Sequence, residues 1–262
     1  MHPILDGIEL VTFDLDGTLI DSVPDLALAV DAALAELGLP AAGEARVRDW
    51  VGNGSWVLME RALRHAVLAS CGEADLATDL RGGAVNPSLG ATDAIPGIGP
   101  PLRSVPSASP DIDSALLERA HAAFLAHYGR APGAHTRLYP GVREALDALR
   151  DRGLPLALVT NKPYAFISPL LEGVGLAKHF GLWLGGDSLP EKKPDPAPLW
   201  HVAAHFEVSP PACLMVGDSR HDIEAGRAAG FRTLAVPYGY NHGESVRDSA
   251  PDGVVESLAE LV

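Results

Sequence analysis

Two acids lie two residues apart where an apolar run stops, in Asp14-Leu15-Asp16-Gly17-Thr18-Leu19. The run before them, Ile8-Glu9-Leu10-Val11-Thr12-Phe13, is short and rich in β-formers, and predicts a buried strand that ends at Asp14. Gly17 permits a tight turn, so both carboxylates can face one crevice at the mouth of a sheet. Like charges this close repel unless a cation lies between them or one keeps its proton. Acids and glycine are also ordinary loop formers. That plainer reading loses weight because Leu214-Met215-Val216-Gly217-Asp218-Ser219-Arg220-His221-Asp222 ends a second apolar run in acids. Two acidic strand ends point to a metal site.

Such a site needs strands that finish side by side. From Tyr139 onward the chain alternates: a helix from Pro140 to about Arg152, a strand over 156–159 ending at Thr160-Asn161-Lys162, a helix over 164–174, and a strand over 180–184. Lys192-Lys193-Pro194 then precede a helix to about Phe206, a strand over 213–216, a helix over 222–229 and a strand over 232–236. Apolar strands alternating with helices predict an α/β fold, a doubly wound, Rossmann-like parallel sheet covered on both faces. Residues 22–137 interrupt this pattern after the first strand. Ser22 predicts an N-cap for a helix from Pro24 to Leu37, and helical patterns recur over 44–50, 55–68 and 114–128. The expectation is a helical cap domain at 22–137 inserted into a core of 1–21 and 138–262, with hinges near 20–23 and 137–140. Residues 82–110, rich in Gly, Pro, Ser and Ala, predict a mobile surface loop within the cap.

At 262 residues, 47% of them hydrophobic, the chain can build one large domain or two smaller ones. A formal net charge of −14 argues against nucleic acid or an anionic membrane as partner. The N-terminus lacks a basic segment followed by an apolar stretch, and no apolar run approaches membrane-spanning length. A cytoplasmic protein, monomeric or homodimeric, is expected. Cys71 and Cys213 cannot make a disulfide or zinc framework, and Cys213 falls on a predicted strand as a small hydrophobe.

Ligands of an open parallel sheet bind beyond the carboxyl ends of its strands. Those ends release Asp14 and Asp16, then Thr160, Asn161 and Lys162, then Lys193, then Asp218 and Asp222. The set suits phosphoryl transfer, which needs an in-line nucleophile, an acid for the leaving oxygen, a cation and donors for the equatorial oxygens. An aspartate can be the nucleophile, through an aspartyl-phosphate. Asp14, Asp16 and Asp218 offer oxygen with no Cys or His beside them, which favours a hard cation such as Mg2+ over zinc. Neither GxxxxGK[ST] nor GxGxxG occurs, so nucleotide folds lack their motif here.

The residues resemble the haloacid dehalogenase superfamily, whose four motifs appear in order: DxDGT at 14–18, the strand-end Thr160, Lys193 before a proline, and GDSxxD at 217–222. The resemblance implies Asp14 as nucleophile and Asp16 as general acid/base. It implies Mg2+ held by Asp14, the backbone carbonyl of Asp16 and Asp218, phosphate bound by Thr160 and Lys193, and Asp222 supporting the metal shell or Lys193. Dehalogenases of this superfamily lack the second acid, so Asp16 points to a phosphate ester. Asp21-Ser22-Val23-Pro24-Asp25, Val51-Gly52-Asn53-Gly54, Leu138-Tyr139-Pro140-Gly141-Val142, Thr160-Asn161-Lys162-Pro163, Lys192-Lys193-Pro194-Asp195-Pro196 and Tyr238-Gly239-Tyr240-Asn241 are similar to bacterial phosphoglycolate phosphatases. That likeness implies a small-molecule substrate, 2-phosphoglycolate. A phosphomutase of the β-phosphoglucomutase type and a non-enzymatic binding module on the same fold stay open as alternatives.

Plainer readings stand beside several of these residues. Asp222 can cap the helix after it instead of serving a metal. Gly52-Asn53-Gly54 reads equally as a turn between helices and as a loop that brings Asn53 to the substrate. His65, His121, His201 and His205 show no metal spacing, and Trp50 and Trp56 are expected to pack a small cap core. Phosphoglycolate carries a carboxylate, and Lys162 is the candidate to read it, with Arg46, Arg61, Arg64 and the Gly52–Gly54 backbone as competitors; Lys162 reads equally as a solvent-facing loop lysine.

Overall fold

The computed structural model describes residues 2–81 and 112–262; the loop expected at 82–110 lies outside them. The first apolar run forms β1 (Leu10–Phe13), buried at every residue because it is the middle of the sheet. It pairs in parallel with β4 (Leu156–Val159) on one side and β6 (Cys213–Gly217) on the other. β5 (Leu182–Leu184) extends one edge, and β7 (Arg232–Ala235) and β8 (Gly253–Val254) the other, giving the parallel order β5-β4-β1-β6-β7-β8. Phe13 is in register with Leu158 and Val216, so the residues just beyond each strand leave the sheet along one edge.

Alternation sorts the strand side chains into two layers. Val11 and Phe13 meet Leu156, Leu158, Leu214 and Val216 on one face, covered by α5 (Val142–Asp151) and α6 (Ile167–Gly173). Leu10 meets Ala157, Val159, Cys213 and Met215 on the other, covered by α7 (Ala197–His205) and α8 (Arg220–Ala229). Each large aliphatic or aromatic side chain buried in these layers contributes roughly 1.5–3 kcal/mol.

Between β2 (Ile20–Asp21) and β3 (Arg137–Leu138) the chain passes through α1 (Val23–Glu36), α2 (Glu44–Trp50), α3 (Ser55–Arg81) and α4 (Ser114–Arg130). These helices share their own apolar cluster, built around Val30, Leu34, Met59, Leu63 and Phe124. β2 and β3 pair antiparallel as a two-stranded ribbon where the sequence predicts only hinges; two residues per strand are too few for a periodic signal. β8 escapes for the same reason. Ser22 precedes α1 but makes no side-chain cap; its hydroxyl goes to Asp16 instead. α3 continues past Leu68 to Arg81. The strand expected from Phe180 starts at Leu182, since Phe180 turns edge-on to Phe13 in the core. Trp50 packs against the cap cluster as expected, whereas Trp56 is 42% exposed and lies against His121. No helix among the described residues is long and apolar enough to cross a membrane.

Candidate active site

Asp14 continues the line of β1, its N–H donating to the Val216 carbonyl at 2.9 Å. The chain then reverses at Gly17, with φ +92°, where a Cβ would stand 2.2 Å from Asp218 Oδ2. Only glycine accepts both that φ and that approach. Thr18 Oγ1 and the Tyr240 N–H donate to the two Asp218 oxygens at 2.8 and 2.5 Å. At Gly217 a Cβ would meet Asp222 Cβ at 2.3 Å, so the acids of the second motif can fold back beneath the strand end.

Lys193 is buried, and its ammonium is saturated: it donates to Asp14 Oδ1 at 2.6 Å, Asp222 Oδ1 at 2.6 Å and the Val159 carbonyl at 2.5 Å. Burial works against its charge, but Asp14 and Asp222 outweigh burial and raise its pKa. The Lys193–Pro194 peptide is cis. Asp222 fills both positions the sequence leaves open. One oxygen takes Lys193, while the other accepts from the Ser219 N–H at 3.1 Å and Oγ at 2.7 Å in a capping box that starts α8. Burial, only partly offset by Lys193, pushes Asp14 up to about 7. Burial and then Asp14 and Asp222 push Asp218 well above the usual carboxylate range. Carboxylate oxygens of Asp14, Asp218 and Asp222 lie within 4.8 Å of one another. Three buried acids with one ammonium between them, all oxygen donors, fit a hard divalent cation.

Asp16 stands apart from that cluster. Its carboxylate accepts from Lys162 Nζ at 3.0 and 2.9 Å and from Ser22 Oγ at 2.5 Å. Lys162 is therefore buried and turned into the crevice, not toward solvent. Its Nζ also sits 4.9 Å from the centre of the Tyr128 ring, which comes from α4. Thr160 is buried at the end of β4, where its Oγ1 accepts from the Lys162 N–H at 3.2 Å. Asn161 ties two segments together, its Nδ2 donating to the carbonyls of Gly52 at 2.9 Å and Lys193 at 3.0 Å.

Gly52-Asn53-Gly54 faces this floor. Asn53 Nδ2 lies 2.9 Å from His221 Nε2, and Lys192 Nζ donates to the Asn53 carbonyl at 3.0 Å. A cavity of about 50 Å³ remains between floor and cap, walled by Leu26, Leu58, Phe124 and Tyr128 from the helices and by Phe166. Arg46, Arg61 and Arg64 do not line it: they hydrogen-bond the Ala42 carbonyl, the Trp50 carbonyl and Glu60. The sequence reading missed Tyr128, Tyr240, His221 and His242. His221 had a signal, since it sits inside the second acidic motif; burial followed by His242 pushes it down to about 4, so its imidazole is neutral. Tyr128 had none, being one aromatic among the apolar positions of a helix.

A parallel sheet that ends in paired acids, a buried lysine and a helical insertion over them defines a phosphatase architecture. The haloacid dehalogenase-like hydrolase family model matches residues 8–230, and the chain belongs to that family. Within it, the chain is 40% identical over 253 residues to the phosphoglycolate phosphatase of Nitrosococcus oceani, covering 97% of this chain and 94% of that one. It is 43% identical over 257 residues to the phosphoglycolate phosphatase of Escherichia coli K12, covering 98% and 92%. Among solved structures, a predicted phosphoglycolate phosphatase from Haemophilus somnus 129pt superposes with a TM-score of 0.79 at 34% identity, covering 97% and 96%. The chain is thus a phosphatase of this family.

Proposed function

We propose that the phosphatase hydrolyses 2-phosphoglycolate to glycolate and phosphate with Mg2+ as its metal. The observation that carries the reaction is the pair of acids on one strand-end turn: Asp14 clamped by Lys193 in a three-acid cluster, Asp16 beside it on the cavity floor. Lys193 holds Asp14 Oδ1, which leaves Oδ2 for attack on phosphorus. The ester P–O bond breaks as the Asp14–phosphorus bond forms, and Asp16 gives its proton to the departing alkoxide. Asp16 then takes a proton from the water that attacks the aspartyl-phosphate, which releases phosphate and restores the Asp14 carboxylate and the protonated Asp16. Thr160 donates to the phosphate oxygens, and Lys193 and Asn161 bind them by each giving up a carbonyl partner, that of Val159 for Lys193 and that of Gly52 for Asn161. Lys162, with Asn53 from the loop above, contacts the rest of the substrate. Asp14, Asp218 and the Asp16 carbonyl would hold the Mg2+, with Asp222 behind them, and the bound ion would supply charge neutralisation at the phosphoryl group.

The substrate rests on two supports. Relatives of 40% and 43% identity carry that activity in their names, and the small cavity under the cap suits a two-carbon leaving group. Residues 22–137 serve as a cap that opens for exchange and closes over the nucleophile. The net charge of −14 supports a small-molecule partner and not nucleic acid or membrane. The test is phosphate release from 2-phosphoglycolate, p-nitrophenyl phosphate and glucose-1-phosphate, with Mg2+ and with EDTA. Metal-dependent release ranked highest for 2-phosphoglycolate is expected; glucose-6-phosphate formed without free phosphate would replace the reading by a mutase.

A further inference from the structure

We infer that Lys162 and Tyr128 form the carboxylate reader of this site, and that Lys162 moves from Asp16 to the substrate's carboxylate when the substrate enters. The inference rests on the phosphoglycolate reading and adds the cap residue Tyr128 and a change of partner at Lys162.

Of the cations among the described residues, two line the cavity, Lys162 and Lys193. Lys193 spends its three donors on two acids and a carbonyl. Lys162 spends two hydrogen bonds on one carboxylate and stands over the Tyr128 ring, so a donor of its ammonium is left over. Beside it, the Tyr128 hydroxyl is buried with no hydrogen-bond partner, although the residue is 3% exposed and lines the cavity. A buried hydroxyl without a partner is unfavourable unless a ligand supplies one. The ring cannot turn away readily, because Phe124 stacks on it at 5.7 Å and Phe166 meets it edge-on at 4.9 Å. Two donors, one charged and one neutral, therefore converge beside apolar walls, where contact with an anion is stronger than in water.

The same geometry links selectivity to catalysis. Lys162 and Ser22 cover the oxygens of Asp16. A substrate that brings a carboxylate draws Lys162 aside and uncovers Asp16 for the leaving oxygen. A substrate without one must reach Asp16 past the ammonium.

The experiment compares kcat/KM for 2-phosphoglycolate and for ethyl phosphate, which has a methyl group in place of the carboxylate. Tyr128→Phe removes one unpartnered oxygen, so Tm should hold within about 2 °C, while the 2-phosphoglycolate/ethyl phosphate ratio should fall on the order of tenfold. Lys162→Met should lower that ratio by roughly tenfold to a hundredfold. Glycolate should inhibit the Tyr128→Phe protein more weakly than wild type, a readout that stands even where Lys162→Met fails to fold. Parallel losses on both substrates, with glycolate inhibition unchanged, would make both residues structural and overturn the inference. A ratio that moves in Lys162→Met alone would remove Tyr128 from the reader. A wild type inactive on 2-phosphoglycolate would instead overturn the functional reading on which the inference stands.

Discussion

Asp14 is an acid kept in a place that disfavours its charge. Burial works most against its charge, the Lys193 ammonium offsets only part of that, and the nearby Asp222 and Asp16 carboxylates add to it. Its retention there is explained by chemistry and not by packing. Replacing Asp14 by Asn should lower turnover by on the order of 10⁴-fold or more, while Asp222 keeps Lys193 paired and Tm moves by less than roughly 4 °C. Phosphate release measured on a rigorously purified Asp14→Asn sample checks this, and retained hydrolysis would dismiss Asp14 as nucleophile. Asp218 is held by Thr18 and Tyr240 with its oxygens toward the cluster. A divalent ion at a hundred times its dissociation constant should add roughly 2.7 kcal/mol to stability. Calorimetry with and without Mg2+ should find that increment in wild type and lose it in Asp218→Ala.

At the scale of elements, the junction of α1 with the strand that returns from the helical insertion depends on Asp25. Its carboxylate accepts from the His135 N–H at 2.9 and 3.0 Å and from Thr136 Oγ1 at 2.7 Å, with His135 Nδ1 at 2.8 Å. Burial pushes the Asp25 carboxyl upward, but the hydrogen bonds from Thr136 and His135 outweigh it and leave the pKa below 3.8. A carboxyl whose folded pKa is lowered contributes stability above its unfolded value and loses it as pH falls through the folded one. The advantage of wild type over Asp25→Asn in urea midpoint should therefore hold above pH 3.8 and close as acid takes the pH below it. An advantage that widened on acidification would contradict the direction of the shift.

The whole molecule is clasped at one loop. Asn161, Lys192 and His221 reach up to Gly52 and Asn53, and His242 Nδ1 lies 2.9 Å from the Asp49 carbonyl, so four side chains from the sheet side grip the last turn of α2 and the loop that follows it. Closure and the floor of the site share Asn161, which also holds the Lys193 carbonyl. Lys192 is exposed and makes one such contact, worth about 0.5–1.5 kcal/mol. Lys192→Met should accordingly raise KM for 2-phosphoglycolate by roughly two- to tenfold with Tm almost unchanged. Steady-state kinetics beside a thermal melt decide it; an unaltered KM would mean that this contact plays no part in closing the site.

The sequence by itself determined the floor of the candidate site, because that floor is local. Asp14 and Asp16 sit on one turn, Asp218 and Asp222 on another, and each turn follows a short apolar run of the kind a fully buried parallel strand shows. A parallel sheet then brings such turns to one edge whatever lies between them, so Thr160, Lys162 and Lys193 were legible as neighbours from their strand-end positions alone. What surrounds the floor was decided by tertiary structure. Tyr128, His221, Tyr240 and His242 come from distant segments, and their partners Lys162, Asn53, Asp21 and Asp49 lie 34 to 219 residues away in the chain. No periodicity records such pairings. The partner choice of Lys162 is of the same kind: its type and place were readable, but only packing against Tyr128 and Asp16 in a buried pocket turned a loop lysine into an ammonium held over the acid. Local order follows from backbone preferences and hydrophobic alternation, whereas pairing across the cavity follows from which surfaces the folded chain must exclude from water.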